Sequence, residues 1–129
     1  MTAPKKPVYL SKTRLMRGYR CLKNVYLNVH NPSLEATISE AQQALFDQGN
    51  AVGVEARKRF PGGVLIDNEA WDFIGSLKAT SEHLSNNIEI IYEAAFEHSG
   101  CYARADIIRY SPNSKRCTVG VSRVIDRRV

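Results

Sequence analysis

The chain has 129 residues, 43% of them hydrophobic and 24% charged, with a net charge of +5. That length suits one domain, the composition is that of an ordinary globular protein, and no apolar run approaches the roughly 20 residues a membrane helix needs. Three cysteines at wide spacing, Cys21, Cys101 and Cys117, make neither a disulfide framework nor a self-sufficient metal site, which points to a reducing cytoplasm.

Residues 1–9 read as a flexible basic arm of Pro and Lys, and residues 10–129 as a single domain. The opening Met1-Thr2-Ala3-Pro4-Lys5-Lys6-Pro7 has no apolar stretch behind its charges, so no secretory leader is expected. Ser11 is a good N-cap for a first helix, ended by Asn31-Pro32. Along it Leu15, Tyr19, Leu22, Tyr26 and Val29 recur at helical spacing as one apolar stripe. Lys12, Arg20 and Lys23 flank that stripe, and Cys21 lies well away from its centre. Lys5, Lys6, Lys12, Arg14, Arg17, Arg20 and Lys23 all precede the first acid, Glu35, so one end of the chain is strongly basic and the remainder slightly acidic. A basic stripe suits phosphate backbones, and its plainer reading is a solvated helix face.

Thr37-x-x-Glu40 has the form of a capping box that opens a second helix. Ile38, Ala41, Leu45, Val52 and Ala56 mark its expected buried side, shared by Gly49 and Gly53. Two helical glycines cost about 1 kcal/mol each against alanine, so close approach of another backbone is the expected gain. Phe60-Pro61-Gly62-Gly63 turns the chain, and Val64-Leu65-Ile66 is a short strand. Asp67 or Asn68 is the expected cap of a third helix with Trp71, Ile74, Leu77 and Leu84 as its apolar side, ended by Asn86-Asn87. From Ile88 the period changes to two. Strands are expected over residues 88–97, 101–110 and 116–122, with 98–100 as a hairpin turn. The expected class is α/β (α+β), three helices plus a three-stranded antiparallel meander whose edge is unfinished.

Asp106 carries the chemistry. It sits mid-strand in Ala103-Arg104-Ala105-Asp106-Ile107-Ile108, where a carboxylate is costly unless paired, exposed or bound to metal. A two-residue Ser99-Gly100 loop would set Glu93 opposite Asp106 on one face, and a three-residue loop would set it opposite Ala105. Two such carboxylates suit a Mg²⁺ site. The plainer alternative pairs Asp106 with Arg104 or Arg109 and leaves Glu93 solvated.

The segments Tyr9-Leu10-Ser11-Lys12-Thr13-Arg14 and Gly18-Tyr19-Arg20-Cys21-Leu22-Lys23 resemble the opening of an uncharacterised bacterial family, which runs close to L-S-K-S-R and then G-x-x-C-P-K-R-L-W-L. Three further stretches resemble it too: residues 44–57, Phe60-Pro61-Gly62-Gly63-Val64-Leu65-Ile66, and Tyr92-Glu93-Ala94-Ala95-Phe96-Glu97 with Arg104-Ala105-Asp106-Ile107. The likeness covers residues 9–110 as an ordered succession. The family is similar to RecB-type and CRISPR-associated nucleases with the PD-(D/E)XK core. The resemblance implies a restriction-endonuclease-like fold and a Mg²⁺-dependent DNA nuclease, with the metal-binding Asp at Asp106 and Glu93 as a helper. Cys21 matches the first of four cysteines that hold an iron–sulfur cluster in some members. The other three have no match here, so no cluster is expected. Glu55 is the one substitute for a motif histidine on the early helix.

At the third strand the family reads as an apolar residue followed by E-V-K. This chain has Gly120 and Ser122 in the Glu and Lys slots, and neither is a ligand or a cation. Asp126-x-Arg128 has the spacing, but arginine poorly replaces lysine beside an attacking water. The resemblance therefore implies the N-terminal part of a nuclease-like domain, truncated and catalytically incomplete, with Mg²⁺ held weakly at best. A shifted reading frame, an early stop or a naturally reduced relative would each explain this. The expected partners are DNA, bound non-specifically through Lys12, Arg14, Arg17, Arg20 and Lys23, and a second copy of the chain at the open sheet edge. No membrane partner is expected.

Overall fold

A computed structural model describes residues 8–69 and 71–119. The class is mixed α and β: four α-helices, a short 3₁₀ turn and a four-stranded sheet. The elements run α1 (Lys12–Arg20), α2 (Leu22–His30), the 3₁₀ turn (Pro32–Leu34), α3 (Glu40–Lys58), β1 (Val64–Leu65), α4 (Phe73–Ser85), β2 (Ile90–His98), β3 (Cys101–Ser111) and β4 (Arg116–Val119). Two compact units divide the chain, Met1–Ser39 with Glu97–Ala103, and Glu40–Phe96 with Arg104–Val129. Among the described residues no helix is long and apolar enough to cross a membrane.

In the first unit the expected single helix is two. Cys21 takes an extended conformation (φ −163°, ψ 114°) and is the C-cap of α1 and the N-cap of α2. The break interrupts the stripe read as continuous: Leu15, Tyr19, Leu22 and Tyr26 are all exposed. The two helices meet instead through Val25 and through polar groups. Val25 lies against the Gly18 backbone, and the Arg14 guanidinium donates to the Tyr9 carbonyl at 2.7 Å and to Asn28 Oδ1 at 3.5 Å. Arg17 pairs with Glu35, which also accepts from Asn28. Ser11 caps α1 as expected, accepting from the Arg14 N–H at 3.3 Å. Of the basic arm, residues 1–7 lie outside the described residues. The chain from there is tied down: Leu10 bridges Cys101 in parallel, accepting from the Tyr102 N–H at 3.0 Å and donating to the Gly100 carbonyl at 2.8 Å.

The sheet runs in the order β1-β2-β3-β4; the hairpin end Glu97–Ala103 belongs to the first unit and the rest to the second. The antiparallel run was expected as a three-stranded meander. The structure adds Val64–Leu65 as a fourth strand, parallel to β2, with Val64 beside Ile91 and Leu65 beside Tyr92. That parallel pairing is open to it because α4 supplies the crossover. Gly63 permits the approach: a Cβ there would overlap the Tyr92 ring. The Tyr92 hydroxyl accepts from the Gly63 N–H at 3.2 Å and donates to the Phe60 carbonyl, pinning the turn onto the strand. The β2–β3 connection is the two-residue Ser99-Gly100 loop, both residues at positive φ (50° and 78°), as a tight hairpin requires. Lengths past Val119 in the expected third strand lie outside the described residues.

The core of this unit is Ile66, Ile91, Ala94 and Ile108, with Ala79, Leu84, Ile88, Phe96 and Ala105 packed against it. Ile91 and Ala94 are three residues apart yet share one cluster, which strict alternation forbids. Glu93 accounts for this. It stands at φ 59°, a left-handed conformation inside a strand, and shifts the phase of β2 as a bulge does. Helix α4 was expected to begin after Asp67 or Asn68 and to bury Trp71, Ile74, Leu77 and Leu84, of which Leu84 packs against the core. It begins at Phe73, capped by Asp72, which accepts from the Gly75 N–H at 2.9 Å. Its buried residues are Ser76 and Thr80. Trp71 and Ile74 are exposed.

Helix α3 begins at Glu40, three residues past the proposed Thr37 cap, so Glu40 is not at the third position of a capping box. None of its residues is buried. The close approach expected over Gly49 and Gly53 does not occur: nothing lies within 4 Å of a Cβ built at either.

Candidate functional site

A cavity of ≈ 490 Å³ in the second unit is lined by Gly49, Asn50, Gly53 and Arg57 of α3 together with Glu93 of β2 and Asp106 of β3. The two acids singled out in the sequence therefore open onto one space. They differ in circumstance. Asp106 is exposed, although Ile107 and Ile108 beside it are buried. Among the described residues it forms no ion pair: Arg104 is committed to Glu93, and the Arg109 guanidinium lies 5.9 Å from the Phe60 ring centroid.

Glu93 is held on both sides. Arg57 Nη2 lies 3.4 Å from its Oε1, and Arg104 Nε lies 3.4 Å from its Oε2. Arg104 is itself anchored, donating to the carbonyls of Ile66 at 3.2 Å, Asn68 at 3.4 Å and Glu93 at 3.4 Å. It ties the end of β1 to the bulge. Arg57 has fewer ties, its guanidinium 5.8 Å from the Tyr92 ring centroid. Two guanidiniums compete with any cation for the Glu93 carboxylate, so Glu93 is paired rather than simply solvated.

That arrangement bears on Mg²⁺ directly. Among the described residues lining the cavity, Asp106 is the one carboxylate without an ion pair. Among the described residues no group of three or more His, Cys, Asp or Glu is placed to hold a metal ion. The donor set does not fit a catalytic metal centre. Glu55, the candidate substitute ligand, is exposed on α3 and pairs with Lys58 at 2.5 Å. Gly120, Ser122, Asp126 and Arg128 lie outside the described residues.

The five basic residues of the sequence reading all fall in the first unit, in different surroundings. Arg14 and Arg17 hold the helix pair together, as described above. Lys12, Arg17 and Arg20, with Thr13 and Met16, line an open groove of ≈ 490 Å³ along α1. Lys23 is exposed on α2. Cys21 marks the junction of the two helices, and its thiol, like those of Cys101 and Cys117, is free and exposed.

Sequence reasoning missed three features of these sites. Arg57 and Arg104 were not seen as partners of Glu93, and an arginine amid small strand residues was the available signal. The bulge at Glu93 had none, because glutamate is not a residue that favours left-handed backbone. The break at Cys21 likewise carries neither glycine nor proline. In comparisons with known proteins, no family model matches the chain, and neither a curated protein nor a solved structure matches it.

Proposed function

We propose that the chain is a nuclease-like domain of the RecB-type PD-(D/E)XK class, corresponding to the N-terminal part of that core, and that it contacts DNA without cleaving it. The observation that carries this reading is the exposed Asp106 opening, beside Glu93, onto the cavity under α3. An exposed carboxylate next to two buried isoleucines is where a core of that class would present its metal-binding acid. Binding is supported by the acid-free sequence of α1 and α2 and by the groove along α1. Incompleteness is supported by the commitment of Glu93 to two arginines and by Gly120 and Ser122 in the expected Glu and Lys slots. Loss of a positioned electrostatic group typically costs a hundredfold or more in rate, so two such losses take cleavage below detection. Mg²⁺ is held weakly at Asp106, and no iron–sulfur cluster is assembled. Free, exposed thiols suit a reducing bacterial cytoplasm.

The test is a nuclease assay with Mg²⁺ and with Mn²⁺ on single- and double-stranded DNA, run beside Asp106→Ala. No cleavage is expected from either protein, with weak Mn²⁺ binding by the parent chain that Asp106→Ala abolishes. Cleavage that disappears in Asp106→Ala would show that another acid and base complete the site.

A second reading, association with another copy, is favoured by β4. It lies at the edge of the sheet and each of its four residues is exposed. Unpaired edges recruit strands.

A further inference from the structure

We infer that the outer faces of α1 and α2 form a stacking platform for single-stranded nucleic acid, with Tyr19 and the Tyr26–His30 pair taking bases and Lys12, Arg20 and Lys23 taking phosphates. The inference rests on the nucleic-acid partner proposed above and narrows it from DNA in general to an unpaired strand. It does not depend on Asp106.

The break at Cys21 creates the platform. The contacts between the two helices run from Arg14 to Asn28 and from Gly18 to Val25, with Arg17 and Asn28 both reaching Glu35 beyond α2. The aromatic residues are consequently turned out. At 100° per residue, Leu15, Tyr19, Lys12, Met16 and Arg20 follow one another around one face of α1, and all five are exposed, Tyr19 at 89%. On α2 the corresponding face carries Leu22, Tyr26, His30 and Lys23, also all exposed. The Tyr26 and His30 rings lie 4.4 Å apart, centroid to centroid, and 37° from parallel. This pair is already a small stacked surface with one side open.

Charge selects the partner. Neither helix contains an acid, so the face matches a polyanion. A duplex would use the cations and leave the rings idle, because its bases are stacked inside. An unpaired strand uses both, since every base has a π-face and its backbone carries the charge. Lysine and arginine interleaved with the rings also disfavour a purely apolar partner helix. Each helix is nine residues, or about 14 Å, and many interfacial membrane helices run 20–30 residues.

The test is fluorescence anisotropy with a fluorescein-labelled oligothymidylate of roughly 16 nucleotides and a duplex of equal length, in chelator and over a salt series. A second measurement uses phosphatidylserine vesicles. The full chain is expected to bind the oligothymidylate about tenfold or more tighter than the duplex. Tyr19→Ala and Tyr26→Ala should each weaken that binding about 5- to 100-fold, the range for losing one stacked base, without changing the salt slope. Tyr19→Phe should retain it. Lys23→Gln should lower the salt slope by about one contact.

Equal affinity for duplex and single strand, with no effect of Tyr19→Ala or Tyr26→Ala, would overturn the platform and leave a basic phosphate-contacting helix pair. Binding to vesicles with none to the oligothymidylate would overturn it in favour of a membrane surface. Binding to neither nucleic acid would sink both this inference and the proposed DNA contact. Because both tyrosines are exposed and Tyr19→Phe keeps the ring, misfolding is separable from lost stacking by circular dichroism.

Discussion

Helices α3 and α4 belong to one unit and contrast in what they bury. α3 has 19 residues and a continuous apolar side, yet Leu45 is 66% and Val52 63% exposed and nothing on the helix is buried. α4 has 13 residues and a comparable apolar pattern, and it alone of the four helices buries residues, Ser76 and Thr80. The Thr80 hydroxyl donates to the Ser76 carbonyl at 2.8 Å and accepts the Ala95 N–H at 2.9 Å. It gives a strand amide next to the bulge a partner where the two-residue β1 does not reach. The apolar pattern of a helix marks the face that gains from cover. On α4 the face toward the core combines Ala79 and Leu84 with the small, hydrogen-bonded Ser76 and Thr80.

Four substitutions sharpen that contrast. The largest effect belongs to the core beneath α4. Ile108→Ala removes a fully buried side chain and should cost about 2–5 kcal/mol of stability in urea unfolding. A loss as small as that of a surface site would mean the Ile66–Ile91–Ala94–Ile108 cluster is not the core. Next comes Thr80→Val, which keeps the shape and deletes the acceptor for Ala95. The buried amide is left without a partner, so the expected loss is about 1–3 kcal/mol. An unchanged midpoint would show that α4 is placed by apolar contact alone.

The cap of α4 should respond to pH. Hydrogen bonds from the Gly75 N–H, first, and the Asn68 side chain hold the Asp72 carboxyl below its ordinary range. A depressed folded value means that the ionised form stabilises the fold above the ordinary carboxylate range. That contribution is lost as pH falls through the folded value. Asp72→Ala should therefore destabilise the protein at neutral pH and flatten the acid limb of its pH–stability curve. Parallel curves for the two proteins would remove Asp72 from the cap.

The smallest effect is expected on α3. Leu45→Ser should change the stability of the monomer by no more than about 0.5 kcal/mol, as surface substitutions do. Its readout is mass. If α3 and the β4 edge are covered by a second copy, light scattering at tens of micromolar should give a dimer for the parent chain and less of it for Leu45→Ser. A monomer for both would end the self-association reading.

Much of the fold was legible where local chemistry is decisive. The change from helix to strand after Asn87, the Ser99-Gly100 turn, the Ser11 cap and the Asn86-Asn87 stop each rest on a few adjacent residues and each has its counterpart in the structure, whereas the strict alternation expected from Ile88 does not hold along β2. The candidate site was half legible. Asp106 stood out because an acid amid Ala105, Ile107 and Ile108 needs a reason, and the structure places it at a cavity. Its relation to Glu93 was not readable, because it depends on Arg57, which is 36 residues away, and on Arg104 reaching the Ile66 and Asn68 carbonyls.

The sequence by itself determined the order and kind of the elements after Pro61, the concentration of positive charge before Glu35 and the residue types at the expected third motif. These are properties of neighbours along the chain. Tertiary structure alone decided that the first helix divides at Cys21, that β1 pairs in parallel with β2, that β2 bulges at Glu93 and that Ser76 and Thr80 are the buried face of α4. Each of those outcomes balances a local cost against contacts between residues distant in sequence. A left-handed glutamate costs about 1–3 kcal/mol by itself, and it is held by two arginines and by a core that takes Ile91 and Ala94 together.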